Sequence, residues 1–144
     1  MIKQLLKSLT LNPKKLFLID GLGAVISTFL LGVVLGNFES IIGIPPSTLY
    51  LFAVLPIFFA VYDFYCYQKT DNSLKPFLRG IAILNLLYCC LSIGVAFYHY
   101  KTITSIGWIY ILVEVSIIII LSIVELTIAK RLPKKLNTKK TRTK

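Results

Sequence analysis

Acidic residues are scarce in this chain: six Asp and Glu stand against sixteen Lys and Arg over 144 residues. Histidine occurs once, at His99, so no histidine-based metal set or catalytic dyad can be built from the sequence. Three cysteines, Cys66, Cys89 and Cys90, are too few and too awkwardly placed for a disulfide framework, since two are adjacent and all lie in apolar runs. Neighbouring residues on a helix point about 100° apart, which would strain a Cys89–Cys90 bridge. No HExxH, GxSxG, phosphate-binding loop or dinucleotide fingerprint occurs. No cofactor and no metal are therefore expected, and an enzymatic role ranks behind transport and scaffolding. The first apolar run is too long for the core of a cleavable signal peptide, and no small-residue cleavage pattern follows it.

What the chain has in excess is apolar length. Its residues are 56% hydrophobic and only 15% charged, and its mean hydropathy of +0.79 is far above that of a soluble domain. Four apolar stretches fall at 16–37, 46–67, 77–98 and 106–128. Each is about 22 residues long and so able to cross roughly 30 Å of hydrocarbon. The connections 38–45, 68–76 and 99–105 are short, which makes successive spans antiparallel neighbours. Pro45 and Pro46 open the second span, where a missing amide donor costs nothing. The expected fold is all-α: a polytopic membrane protein with four transmembrane helices in an antiparallel bundle.

Two flanking segments complete the organisation. In 1–13, Ile2, Leu5, Leu6 and Leu9 share one helical face while Lys3, Gln4 and Lys7 share the other. This predicts a short amphipathic helix lying in the membrane interface and stopped at Asn12–Pro13. The transmembrane domain occupies 14–132, and the Lys/Thr-rich tail 133–144 is expected to be disordered.

The net charge of +10 would point to nucleic acid in a soluble chain. Here the basic residues flank the apolar runs, so they read as topology signals and as contacts with anionic lipid headgroups, and no nucleic-acid partner is expected. Fifteen of the sixteen fall on one side of the four-span layout; only Lys101 falls on the other. Both termini are thus placed in the cytoplasm, with the protein as a multi-pass component of a bacterial inner membrane. Tyr50, Phe52, Tyr98, Tyr100 and Trp108 gather near one boundary, and Tyr62, Tyr65, Tyr67 and Phe77 near the other, as interfacial belts do.

Polar groups inside the spans are costly and need either a partner or a purpose. Four acids fall there: Asp20, Asp63, Glu114 and Glu125. Asp20 and Asp63 each lie about one turn, or roughly 6 Å, inside the basic boundary, with Arg79 at similar depth on the third span. These three form a predicted charge cluster, serving either as an ion pair that sets helix register or as a site for a cation or polar ligand. Glu125 is expected near the same boundary as an interfacial charge beside Lys130 and Arg131. Glu114 lies deepest, roughly 12 Å from the far boundary, with no basic residue at its level. Thr28, Tyr88 and Cys89 fall at a similar depth, and Asn85 one to two turns away. A carboxyl so placed is expected to keep its proton and to hydrogen-bond Tyr88 or Thr28. Pro56, nearby on the second span, frees a backbone carbonyl. Glu114 and Glu125 are eleven residues apart, close to three turns, so both look into the bundle.

In length and helix count the chain is similar to the small multidrug transporters, whose essential membrane carboxyl lies in the first helix. Here the first span offers only Asp20 near its boundary, and the deep Glu114 is in the fourth, so no family is assigned. The favoured function is a small transport-type or ligand-binding protein, a homo-oligomer among its possible states, with a polar site of Glu114, Tyr88, Asn85 and Thr28. The alternative is an accessory or scaffold subunit whose polar residues only specify packing. Asp20, Ala24, Thr28, Gly32 and Gly36 recur every four residues on the first span, a small-residue stripe suited to close packing within the bundle or between subunits.

The topology has a direct test. In a chain with its three native cysteines changed to alanine, single cysteines at Lys7 and Lys139 should react with a membrane-impermeant maleimide only after the cells are permeabilised. A cysteine at Lys101 should react in intact cells.

Overall fold

The computed structural model describes residues 1–69 and 74–133. Every regular element among them is helical: α1 (Ile2–Leu11), α2 (Lys14–Phe29), α3 (Glu39–Ile42), α4 (Pro46–Tyr67), α5 (Leu74–Tyr98) and α6 (Ser105–Arg131). Beyond Phe29, α2 continues for six residues as a π-helical segment, Leu30–Leu35. Four helices, counting α2 with that segment, are long and apolar enough to cross a membrane. The fold is thus all-α with four spans, as the hydropathy predicts. Three of the helices run past their predicted ends, starting at Lys14 and Leu74 and finishing at Arg131. Those extra turns carry Lys14, Lys15, Lys75, Lys130 and Arg131, whose long stems let the chain stay helical while the charges reach water.

Two helical hairpins build the bundle. α2 packs along α4 and α5 along α6, while α4 meets α5 only lightly and α2 scarcely approaches α6. Glycine is what lets the first pair close. A Cβ on Gly21 would lie 3.2 Å from the Cβ of Asp63, one on Gly32 would lie 3.5 Å from the Cβ of Ala53, and one on Gly36 would lie 2.9 Å from the Tyr50 ring. The small residues of α2 therefore serve packing inside the bundle.

Two apolar clusters close the two ends. At the basic end, Leu16, Phe17, Leu74, Leu78, Ile81 and Ile128 are almost wholly buried, and Leu9 of α1 docks onto them. α1 is amphipathic as read: Leu9 is buried, whereas Ile2 and Leu5 stay exposed on the surface where lipid would lie. Lys75 Nζ donates to the Leu132 carbonyl at 3.0 Å, tying the start of α5 to the end of α6. At the opposite end, Leu31, Leu35, Ile42, Leu49, Phe52 and Ile111 belong to the second cluster. There Thr104 caps α6 by accepting from Gly107 N at 3.2 Å, and its hydroxyl also donates to the Ile41 carbonyl. Gly43 ends α3 at φ 77°, where a Cβ would overlap the Thr102 carbonyl. Of the tail 133–144, only Pro133 lies within the described residues.

Leucine at Gly21 should force α2 from α4 and cost about 1–3 kcal/mol, read as a drop of several degrees in the melting temperature of the detergent-solubilised protein. Leucine at Gly94, which has open space where a Cβ would go, should leave that temperature nearly unchanged.

Candidate functional site

The polar residues of the spans form two layers joined by one cavity. The first layer surrounds Glu114, on the inward face of α6 and 9% exposed. Its Oε1 accepts from Ser27 Oγ of α2 at 3.3 Å, from Tyr88 OH of α5 at 3.3 Å and from Tyr110 OH of α6 at 3.4 Å. Three hydroxyl donors thus converge on one oxygen. Aromatic neighbours hold Tyr88: its ring lies 5.7 Å from that of Phe52 and 6.0 Å from that of Phe59, both on α4.

The second layer lies nearer the basic end and takes one residue from each span: Asp20, Asp63, Asn85 and Glu125. Asn85 Nδ2 donates to both Asp20 oxygens at 3.1 Å. The carboxyls of Asp20 and Asp63 lie beside each other. Asp63 and Glu125 are wholly buried, and none of their four carboxyl oxygens receives a donor. Two carboxylates facing each other have no hydrogen to share; a single proton between Asp20 and Asp63 supplies one. Among the described residues no group of three or more His, Cys, Asp or Glu is close enough to hold a metal ion.

A cavity of about 320 Å³ connects the layers. Asp20 and Asn85 line it toward the basic end, Glu114, Tyr88 and Tyr110 toward the other, and Pro56 and Phe59 of α4 form part of its back wall. Among the described residues, no Lys, Arg or His lines it.

Several expectations change at this point. Thr28 does not reach Glu114. Its hydroxyl donates instead to the Ala53 carbonyl at 3.2 Å, in the turn before Pro56; one step round the helix, Ser27 takes the place expected of Thr28. Arg79 does not join Asp20 and Asp63: it is exposed on the outer side of α5, and its long side chain can reach interfacial water more cheaply than it can enter the bundle. Glu125 is not the interfacial charge it was expected to be. Its register on α6 turns it inward, three turns from Glu114, while Lys130 and Arg131 are exposed. Tyr110 escaped the sequence reading, although its place four residues before Glu114 is the spacing that brings two helical side chains together. Cys66, Cys89 and Cys90 are all free thiols.

No family model matches the chain, and no curated protein or solved structure matches it.

Asp63→Asn should be tolerated or stabilising, because the amide brings N–H donors to a place where two carboxyls lack them. A gain of about 1 kcal/mol corresponds to a melting temperature roughly 2–4 °C higher. A clear loss on thermal denaturation would show that the carboxyl itself is required for folding.

Proposed function

We propose that this chain is a small transport-type membrane protein that binds its ligand in the cavity between the hairpins, with Glu114 as the anchoring carboxyl. One observation carries this reading. Within a region as apolar as these four spans, one cavity has a carboxyl at either end and, among the described residues, no cation on its walls. A membrane-embedded polar group of this kind is expensive and marks a functional site by default. Asp20 and Asn85 supply a second polar contact at the far end.

The distribution of Lys and Arg supports placing the basic end in the cytoplasm, as in a bacterial inner membrane. A shallow outer groove on α2 and α4, with Gly32, Ala53 and Ala60 along it, supports self-association through that face. A scaffold role has one observation in its favour: the Asn85 amide spans both oxygens of Asp20, as a device for fixing helix register would.

The experiment is proton counterflow from dye-loaded proteoliposomes, driven by alkyltrimethylammonium ions, which carry no exchangeable proton of their own. The full chain should release protons on addition of these ions, and Glu114→Gln should lower the rate at least tenfold. Unchanged flux in Glu114→Gln removes Glu114 from the mechanism. No flux in either protein, together with a Glu114→Leu variant that is better folded and fully active in cells, selects the scaffold role.

A further inference from the structure

Buried apolar side chains lie beyond the cavity along the bundle axis. Toward the basic end these are Leu16, Phe17, Leu78, Ile81 and Ile128, each at most 1% exposed. Toward the other end Leu31, Phe52, Ile111 and Val115 are buried, and a smaller pocket among the first three shares Tyr88 and Glu114 with the cavity. Its remaining side lies between α2 and α6, the two spans that scarcely touch. Ile26 of α2 and Val113 and Ile117 of α6 line the cavity there and are at the same time 59%, 55% and 61% exposed on the outer surface. Residues that both line a cavity and face outward mark its mouth. All three lie well inside their helices: nine residues separate Ile26 from the nearer helix end, eight separate Val113 and twelve Ile117, or roughly 12–18 Å at 1.5 Å per residue. The mouth therefore opens at the depth of the hydrocarbon, not at either interface.

We infer that the cavity is a binding site for a single-chain amphiphile with a cationic ammonium head, and that this ligand enters sideways from the bilayer between α2 and α6. The inference rests on the reading of the cavity as a ligand site and adds the route and the ligand class. The head is assigned by charge complementarity: Glu114 and Asp20 line the cavity and no basic residue does. The body is assigned by the walls and the mouth, where Ile26, Leu30, Phe59, Val113, Ile117 and Leu121 offer only apolar surface. A volume of about 320 Å³ lies at the small end of ligand cavities, which run from about 300 to 1,000 Å³. One slender chain suits that space, whereas a two-chain lipid does not. Mid-depth entry also explains why Gly23 is placed at the mouth: it lines the cavity, is exposed, and has open space where a Cβ would go.

The test uses the full chain in lipid nanodiscs and a photo-crosslinkable alkyl amine of about twelve carbons. Labelled positions are read by mass spectrometry against nanodiscs without protein. Labelling should concentrate on Ile26, Val113 and Ile117. It should fall at least tenfold with excess dodecylammonium, but less than twofold with dodecyl sulfate or with the water-soluble ethylammonium. Glu114→Gln should reduce it at least fivefold. Ile26→Trp and Ile117→Trp, at two exposed positions, should each slow labelling of the inner wall at least fivefold with unchanged gel-filtration behaviour. Equal competition by dodecyl sulfate, or labelling spread evenly over the outward faces, overturns the ligand class. Ethylammonium competing as well as dodecylammonium, with no effect of the tryptophans, overturns sideways entry while leaving the cavity a cation site. Labelling insensitive to Glu114→Gln and to every competitor overturns the inference and the ligand site together.

Discussion

Inside a bilayer a polar atom has no water to fall back on, and this chain places four buried carboxyls in its spans. How those carboxyls find donors decides how the two hairpins meet. Within each hairpin, close backbone approach and side-chain packing suffice: α2 lies on α4 through glycine contacts, and α5 lies on α6. Between hairpins the packing is thin, and polar bonds take over. Ser27 reaches from α2 to Glu114 on α6, and Asn85 reaches from α5 to Asp20 on α2. The two carboxyls that border the cavity therefore also help join the halves of the protein, beside the bond from Tyr62 OH to the Phe77 carbonyl at 3.3 Å and the apolar clusters at both ends. Each such bond contributes on the order of 1 kcal/mol, far less than the packing within a hairpin. The seam between hairpins is consequently the part of the bundle whose arrangement is easiest to change.

The sequence makes the architecture legible because hydropathy and charge act over twenty residues at a time. Four runs, their short connections and α1 all follow from that averaging, and the structure departs from them by only a turn at most at each helix end. Facing is less legible. The eleven-residue spacing correctly turns Glu114 and Glu125 the same way, because three helical turns nearly close on themselves. Thr28 and Ser27 differ by about 100°, and depth alone does not separate them. Only the roll of α2 against α4, set by Gly21 and Gly32, decides which hydroxyl meets Glu114. Arg79 failed for a different reason. Depth puts it level with Asp63, but a long cationic side chain near an interface gains more from water than from a buried acid.

Glu125 shows what pattern reading leaves out most clearly. Judged by distance from Lys130 and Arg131 along the chain, it belongs to the interface. On the helix those residues are exposed while Glu125 is wholly buried. Asp63 is buried in the same way, and neither carboxyl has a donor from the protein. Buried polar groups without partners are rare enough that each calls for an explanation. A proton shared with Asp20 would explain Asp63, and a carboxyl that keeps its own proton would explain Glu125. A layer of that kind can sit under an apolar plug, with Leu16, Phe17 and Ile128 between it and the basic end.

The cavity and the seam are then two aspects of one arrangement. A cationic head that engages Glu114 competes with Ser27 for the same carboxyl, and Ser27 is a tie between α2 and α6. Ammonium bound to a carboxylate in an apolar setting is the stronger interaction, since a charge-assisted bond is roughly twice as strong as a neutral one. Occupancy therefore weakens the link that spans the mouth, while the Asn85–Asp20 bond deeper in the bundle still holds the hairpins together. Release works in the opposite sense: once the head leaves, the Ser27 hydroxyl has no better partner than Glu114, and the link reforms. On the proposed reading, ligand and seam would be coupled through a single side chain, the deepest carboxyl in the sequence, which sits where two helices barely touch.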